Sequence, residues 1–176
     1  MGEKISAGGV VRDHMKKWLV GFALNKGIGN VLEAELWGIL EGLNLVWKAG
    51  YKKVIVESDS QTAVDLLTSD NYSLHPLFGI IHACISLIKK DWCCVIQFVY
   101  RECNKVADCL ASLGHSMVLG TTVLTNPPPQ ISESLKSGFK GTAVARTFPS
   151  FQCCCFRLIS LPMYPKKRIN VFKVFN

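Results

Sequence analysis

The stretch that decides the fold runs from residue 33 to residue 67 and reads EAELWGILEGLNLVWKAGYKKVIVESDSQTAVDLL. Its first half places apolar residues at helical spacing, and Gly50 follows where such a helix would end. The β-branched run KVIVE comes next and predicts a short buried strand. Ser58, Asp59 and Ser60 then offer N-caps for a second helix, residues 61–67. The stretch therefore predicts a helix, a strand and a helix in succession.

The sequence on both sides extends this pattern. Upstream, two short apolar runs at residues 7–13 and 18–25 predict an antiparallel hairpin. Downstream, the apolar spacing predicts a helix after Pro76, a strand over residues 94–100 and a last helix over residues 104–113. The predicted order is β-β-α-β-α-α-β-α, which is typical of an α/β fold with a mixed sheet flanked by helices.

The pattern fades after Met117. Residues 118–135 contain Asn126 followed by three prolines, which favour extended backbone. Residues 136–176 show no sustained period of either helix or strand. We therefore expect a domain at 1–117, a Pro-containing extension at 118–135 and a basic, poorly ordered tail at 136–176.

The charge of the chain is unevenly distributed. Its 176 residues are 49% hydrophobic and 19% charged, a composition that can bury a core, and the net charge is +7. Residues 1–117 carry twelve bases and twelve acids, whereas residues 136–176 carry eight bases and no acid. The net charge therefore says little about the partner of the predicted domain.

Several classes of protein are excluded by composition. The chain has no run of 18 apolar residues and no apolar N-terminal segment, so we expect neither a membrane span nor secretion. We therefore expect the cytoplasm or the nucleus as its location. The eight cysteines are then expected to be reduced thiols, and adjacent pairs such as Cys93 and Cys94 do not suit a zinc site.

Three carboxylates stand where an α/β fold would bring them together. Glu35 lies in the first predicted helix, Asp59 just after a strand, and Asp108 in the last helix. Ligands of open sheets bind at the carboxyl ends of the strands, and converging carboxylates attract a hard divalent cation. The sequence thus predicts a magnesium-dependent phosphoryl-transfer site, with no small-molecule cofactor.

The residues alone leave simpler interpretations open. Glu35 would then be a solvated helical side chain, Asp59 only an N-cap, and Asp108 an ion-pair partner of Lys105.

Three segments also carry a resemblance to a known family. AGGVVRD, the stretch 33–67 and FVYRECNKVADCLASLGH together resemble the ribonuclease H-like domains of plant proteins and retroelement reverse transcriptases. The resemblance covers about residues 8–117. It implies a ribonuclease H-like fold and endonucleolytic cleavage of the RNA strand of RNA–DNA hybrids with two Mg²⁺ ions, Mn²⁺ being an alternative. It places Glu35, Asp59 and Asp108 at catalytic, metal-binding positions of that family.

The sequence departs from the family at two points. The family's first catalytic Asp lies on an opening strand at the centre of the sheet, and only residues 1–6 precede the first matching segment. We therefore expect a missing first strand, a truncated N-terminus and unpaired edges on its neighbours. The loop before Asp108 also lacks the family's His. An alternative function follows: an inactive relic that binds hybrid or double-stranded nucleic acid or a protein partner.

Contacts to nucleic acid are predicted beside the carboxylates. Ser60 and Gln61 follow Asp59 directly, and Arg101 and Asn104 precede the last helix. We expect these four residues to contact phosphate or sugar groups of the bound nucleic acid.

Overall fold

The computed structural model describes residues 2–131 and the strand Lys167–Val171. Two 3₁₀ turns, Arg101–Cys103 and Pro129–Ile131, accompany the main elements. These elements are β1 (Glu3–Arg12), β2 (Trp18–Gly29), α1 (Val31–Lys48), β3 (Lys53–Ser58), α2 (Gln61–Thr68), α3 (Phe78–Ile88), β4 (Cys93–Phe98), α4 (Lys105–Ser116), β5 (Gly120–Leu124) and β6 (Lys167–Val171). The predicted α/β class and the order of the first eight elements are confirmed.

The hairpin of β1 and β2 is longer than predicted. The strands are antiparallel, and Asp13 closes their turn by accepting hydrogen bonds from the backbone of Met15 and Lys17, each at 2.9 Å. β2 continues past Asn25 because the register shifts there by one residue and Gly27 takes a φ of +84°. Such a bulge with a left-handed glycine lets the ladder continue, so the strand extends beyond residue 25, where the prediction ended it.

The main core lies between the sheet and the layer of α1, α2 and α3. The Asn30 side chain caps α1 by accepting from the Glu33 N–H at 2.8 Å. Gly50 follows the helix with a φ of +76°, as its position predicts. The fully buried face of α1 meets β1, β2 and β3 through Leu36, Ile39, Leu43, Val46, Val11, Phe22 and Val56.

Helix α4 covers the opposite face of the hairpin at close range. A Cβ atom on Gly8 would lie 2.3 Å from the backbone nitrogen of Ala111, so only glycine permits this approach. Ser6 donates a buried hydrogen bond of 2.8 Å to the carbonyl of Ala111. These contacts fix α4, and with it Asp108, relative to β1.

The sheet has six strands in the order β4-β3-β6-β1-β2-β5. β3 pairs with β4 in parallel, and β5 pairs with β2 at the edge. The prediction for 118–135 did not include β5, whose five residues are too few to show a period. The domain bounds at 117 and 135 stay predictions.

Two expectations about the centre of the sheet are wrong. β6 lies between β1 and β3 and pairs with both, so the facing edges of these strands are not exposed. Lys167–Val171 therefore belongs to the sheet rather than to a tail outside it. The other residues of 136–176 lie outside the described residues. No helix in the described ranges is long and apolar enough to cross a membrane.

Candidate active site

The three predicted carboxylates converge at the carboxyl end of β3. Glu35 lies in the second turn of α1 and is only 6% exposed. Asp59 follows the last residue of β3, and Asp108 lies in the first turns of α4. Ser60 rather than Asp59 caps α2, since its hydroxyl accepts from the Ala63 N–H at 3.3 Å. The interpretation of Asp59 as an N-cap is therefore wrong.

Asp59 is held by a buried amide. The side-chain nitrogen of Asn104 donates to Oδ1 of Asp59 at 2.9 Å, and Asn104 is fully buried. The backbone carbonyl of Asn104 accepts from the Asp108 N–H at 3.2 Å. Burial raises the pKa of Asp59, and its own backbone N–H, Arg101 and Asn104 oppose this shift. Asn104 thus fixes the Asp59 carboxylate and, through its backbone carbonyl, begins the helix that carries Asp108.

Asp108 shares its surroundings with Asp59. Burial, and then the negative charge of Asp59, raise the pKa of Asp108 from 3.8 to about 6. Arg101 opposes the rise through its positive charge and a hydrogen bond to the Asp108 side chain. The charge of Asp59 thus makes Asp108 harder to ionise, and an additional cation beside the two carboxylates would be stabilised.

An open cleft of about 450 Å³ lies in front of these groups. Its lining comprises Val31, Glu35, Asp59, Ser60, Phe98, Tyr100, Arg101 and Glu102. Asp108 is not part of this lining, but it reaches the cleft through its hydrogen bond with Arg101. The cleft therefore brings together two of the three predicted carboxylates and two of the four predicted nucleic-acid contacts.

The other two predicted contacts face elsewhere. Asn104 is buried and turned towards Asp59, and the amide of Gln61 donates to Asp65 at 2.7 Å. Whether either touches nucleic acid stays a prediction.

Sequence reasoning missed the aromatic wall of the cleft. Phe98 and Tyr100 are 37% and 62% exposed, and their rings meet edge to face at 5.6 Å. The Val99 N–H donates to the carbonyl of Ser58 at 2.9 Å, which ties this wall to the end of β3. The signal was present in the sequence, since two aromatic residues two positions apart at a strand end share one face.

The carboxylates of this site meet the coordination needs of a hard cation only in part. Within residues 2–131, no group of three or more His, Cys, Asp or Glu side chains is arranged to hold a metal ion. The Asp59 and Asp108 pair nevertheless offers oxygen donors beside a cleft. Mg²⁺ keeps several waters and is commonly held by one or two carboxylates together with substrate phosphate, so the pair fits that mode.

Comparison with known proteins agrees with the fold and its family. Residues 3–114 match the model of the family described as "Reverse transcriptase-like". An Arabidopsis thaliana protein named "Putative ribonuclease H protein" is 37% identical over 141 residues, which cover 80% of this chain and 23% of that protein. The chain thus spans about a quarter of the length of this relative.

A solved structure supports the architecture. The crystal structure of RNase H1 from the halophilic archaeon Halobacterium salinarum matches with a TM-score of 0.53 and 18% identity, over 63% of this chain and 85% of that chain. At this identity the match shows the fold alone. The family match, the Arabidopsis relative and the shared fold together show that this chain belongs to the reverse transcriptase-like family of ribonuclease H-like domains.

Proposed function

We propose that this chain binds RNA–DNA hybrids and hydrolyses the RNA strand with the help of Mg²⁺, or of Mn²⁺ in its place. The observation that carries the proposal is that Asp59 and Asp108 lie together beside an open cleft, where burial and then the charge of Asp59 raise the pKa of Asp108 to about 6. A family whose members include a named ribonuclease H protein supports the same chemistry.

Each side chain has a distinct part in this proposal. Asp59 and Asp108 would hold the cation, with Glu35 facing the same cleft. The cation would supply charge to a phosphate and lower the pKa of a bound water. Asn104 holds the Asp59 carboxylate at a fixed orientation, and Arg101 balances the negative charge of Asp108.

The cleft walls suit a nucleic-acid strand. Arg101 is exposed and can pair with a phosphate, and α2 begins beside Asp59, where a helix N-terminus favours anions. The exposed rings of Phe98 and Tyr100 offer surfaces for bases or sugars. We keep the cytoplasm or the nucleus as the proposed location.

A second candidate is binding without cleavage, of hybrid or double-stranded nucleic acid or of a protein partner. The absence of a three-residue metal group within the described residues favours it. Under this alternative the cleft and Arg101 contact the nucleic acid, and the carboxylates contribute no chemistry.

Cleavage of a labelled RNA–DNA hybrid by the full chain tests the proposal. We expect cleavage with Mg²⁺ or Mn²⁺ and none with EDTA. Asp59→Asn should lower the rate by at least about a hundredfold, because it removes a cation ligand. Asp65→Asn is the matched control, since Asp65 is an exposed aspartate of α2 that pairs with Gln61 and does not line the cleft. Hybrid binding with no cleavage in either metal would favour the second candidate.

A further inference from the structure

β6, the last of the described strands, lies in the interior of the sheet rather than at its edge. Lys167–Val171 runs antiparallel to β1 over Gly9–Arg12 and parallel to β3 over Val54–Glu57. β1 and β3 do not pair with one another in the sheet order. Among the described strands, β6 is therefore the one link between the half formed by β1, β2 and β5 and the half formed by β3 and β4.

The two halves carry different parts of the candidate site. Asp59 follows β3, whereas Asp108 lies on α4, which is docked on β1 through Gly8 and Ser6. The distance between β1 and β3 therefore affects how closely the two aspartates approach. A paired strand between them sets that distance at two strand spacings, about 10 Å.

The slot between β1 and β3 requires a strand. Both neighbours are covered, by the α1 layer on one face and by α4 near β1 on the other. Backbone N–H and C=O groups left unpaired in such a place destabilise the fold, because they lose their hydrogen bonds to water without gaining others. Water cannot easily replace the missing partners there.

The sequence of β6 matches the register of the slot. Ile169 is aligned with Val11 and Val56, which are both fully buried in the main core. Asn170 is aligned with Val10 and with the carboxyl-bearing Glu57. The sequence Arg-Ile-Asn-Val alternates polar and apolar residues with the period of a strand, and its apolar member at 169 falls on the apolar positions of both neighbours.

We propose that Lys167–Val171 binds in this slot within its own chain and acts as a positioning strand that holds Asp59 in register with Asp108. Residues 136–176 contain no acid, so β6 acts on the site by position and adds no carboxylate. The effect on the site rests on the proposed function, whereas the binding of β6 in the slot does not.

Hydrogen exchange of the full chain, followed by mass spectrometry, tests the binding. We expect the amides of Lys167–Val171 to exchange at least about a hundredfold more slowly than in a free peptide, and more slowly than those of the edge strand β5. This protection should not depend on protein concentration. Exchange at the free-peptide rate would overturn the proposal. So would protection that appears only at concentrations where the chain dimerises, since a second copy would then supply the strand.

Ile169→Pro gives the complementary test. It removes a backbone donor from the middle of the sheet, so peptides covering Gly9–Arg12 and Val54–Glu57 should lose protection together. Val118→Pro, the same substitution at an exposed loop residue that follows the extended backbone of Met117, should leave these peptides unchanged. Unaltered protection in Ile169→Pro would overturn the proposal. If that variant does not fold, the exchange rates of the unmodified chain still decide it.

The positioning role needs a readout other than stability. Ile169→Thr keeps the backbone donor but puts a polar residue at a position aligned with the buried Val11 and Val56, and we expect it to weaken Mn²⁺ binding at least about tenfold at a temperature where it remains folded. Val118→Thr, at an exposed loop residue, is its control. Unchanged Mn²⁺ affinity would leave β6 a purely structural strand and overturn the positioning role. Failure of the unmodified chain to bind Mn²⁺ would instead count against the proposed function.

Discussion

The two ends of β3 hold opposite charges in different surroundings. At its amino end, Lys52 and Lys90 lie over the ring of Trp47 at 5.4 and 4.7 Å, and both lysines are exposed. At its carboxyl end, Asp59 and Asp108 are partly buried, and burial raises the pKa of both, while the charge of Asp59 raises the pKa of Asp108 further. The cations thus remain in water on an aromatic support, whereas the carboxylates lie close together and are partly withdrawn from water.

The lysines at the amino end form a structural arrangement, whereas the carboxylates at the carboxyl end form one that is typical of a functional site. Exposed lysines on a tryptophan face add a little stability and need no ligand. Crowded carboxylates lower stability, and such groups are retained where a ligand or a reaction uses them. We make four predictions from this difference, three at the carboxyl end and then one at the amino end.

The largest effect is expected at Asn104. Asn104→Ala removes the amide that donates to Asp59, and leaves a partly buried acceptor without its donor. We expect a loss of about 1–3 kcal/mol in the free energy of unfolding, measured by urea denaturation. Asn71→Ala is a suitable control because Asn71 is an exposed loop residue. An unchanged free energy would mean that the buried amide does not hold Asp59.

Asp108→Asn is expected to raise the free energy of unfolding rather than lower it. It removes one charge of the crowded pair, so the free energy of unfolding at pH 7 should rise by about 1 kcal/mol after allowance for solvent screening. Asp65→Asn, on the exposed side of α2, should change little. A clear loss of stability in Asp108→Asn would show that the pair stabilises the fold rather than straining it.

The same pair predicts a pH dependence. Because the pKa of Asp108 rises from 3.8 to about 6 on folding, the folded state binds the proton more tightly. Its contribution to stability is fully present below pH 3.8 and is lost as the pH rises through about 6. The stability difference between Asp108→Asn and the unmodified chain should therefore grow between pH 4 and 6, as thermal unfolding in matched buffers can measure. A stability difference that stays constant from pH 4 to 6 would contradict the raised pKa of Asp108.

The smallest effect is expected at the amino end. Lys90→Ala removes one cation from the Trp47 ring and should cost about 0.5–1 kcal/mol at most, since the site is exposed. Hybrid cleavage should not change. A large loss of cleavage in this variant would show that the amino end of β3 takes part in function, contrary to the assignment of function to the carboxyl end.

The sequence predicted the parts of the molecule that depend on local pattern. The spacing of Leu36, Ile39 and Leu43 placed α1, and Gly50 marked its end. The choice of Glu35, Asp59 and Asp108 came from their places on two helices and after a strand, together with the family resemblance, and the structure brings these residues to one end of β3. Their catalytic and metal-binding roles stay predictions.

Contacts between distant residues could not be predicted. The bond between Asn104 and Asp59 joins residues 45 apart, and no periodicity reports such a pair. β6 contains five residues in a segment without a sustained pattern, so its place in the sheet follows from pairing with β1 and β3 alone. The pKa of Asp108 depends on burial and on Asp59, and both arise only in the folded chain.

The central claim is that the carboxyl end of β3 binds a divalent cation and its amino end does not. Titration of the isotopically labelled full chain with Mn²⁺ tests it directly, because the paramagnetic ion broadens nearby amide resonances. We predict that Asp59, Ser60 and Asp108 broaden first, while Lys52 and Lys90 remain sharp. Broadening that is absent at Asp59 and Asp108, or that begins elsewhere in the molecule, would contradict the claim.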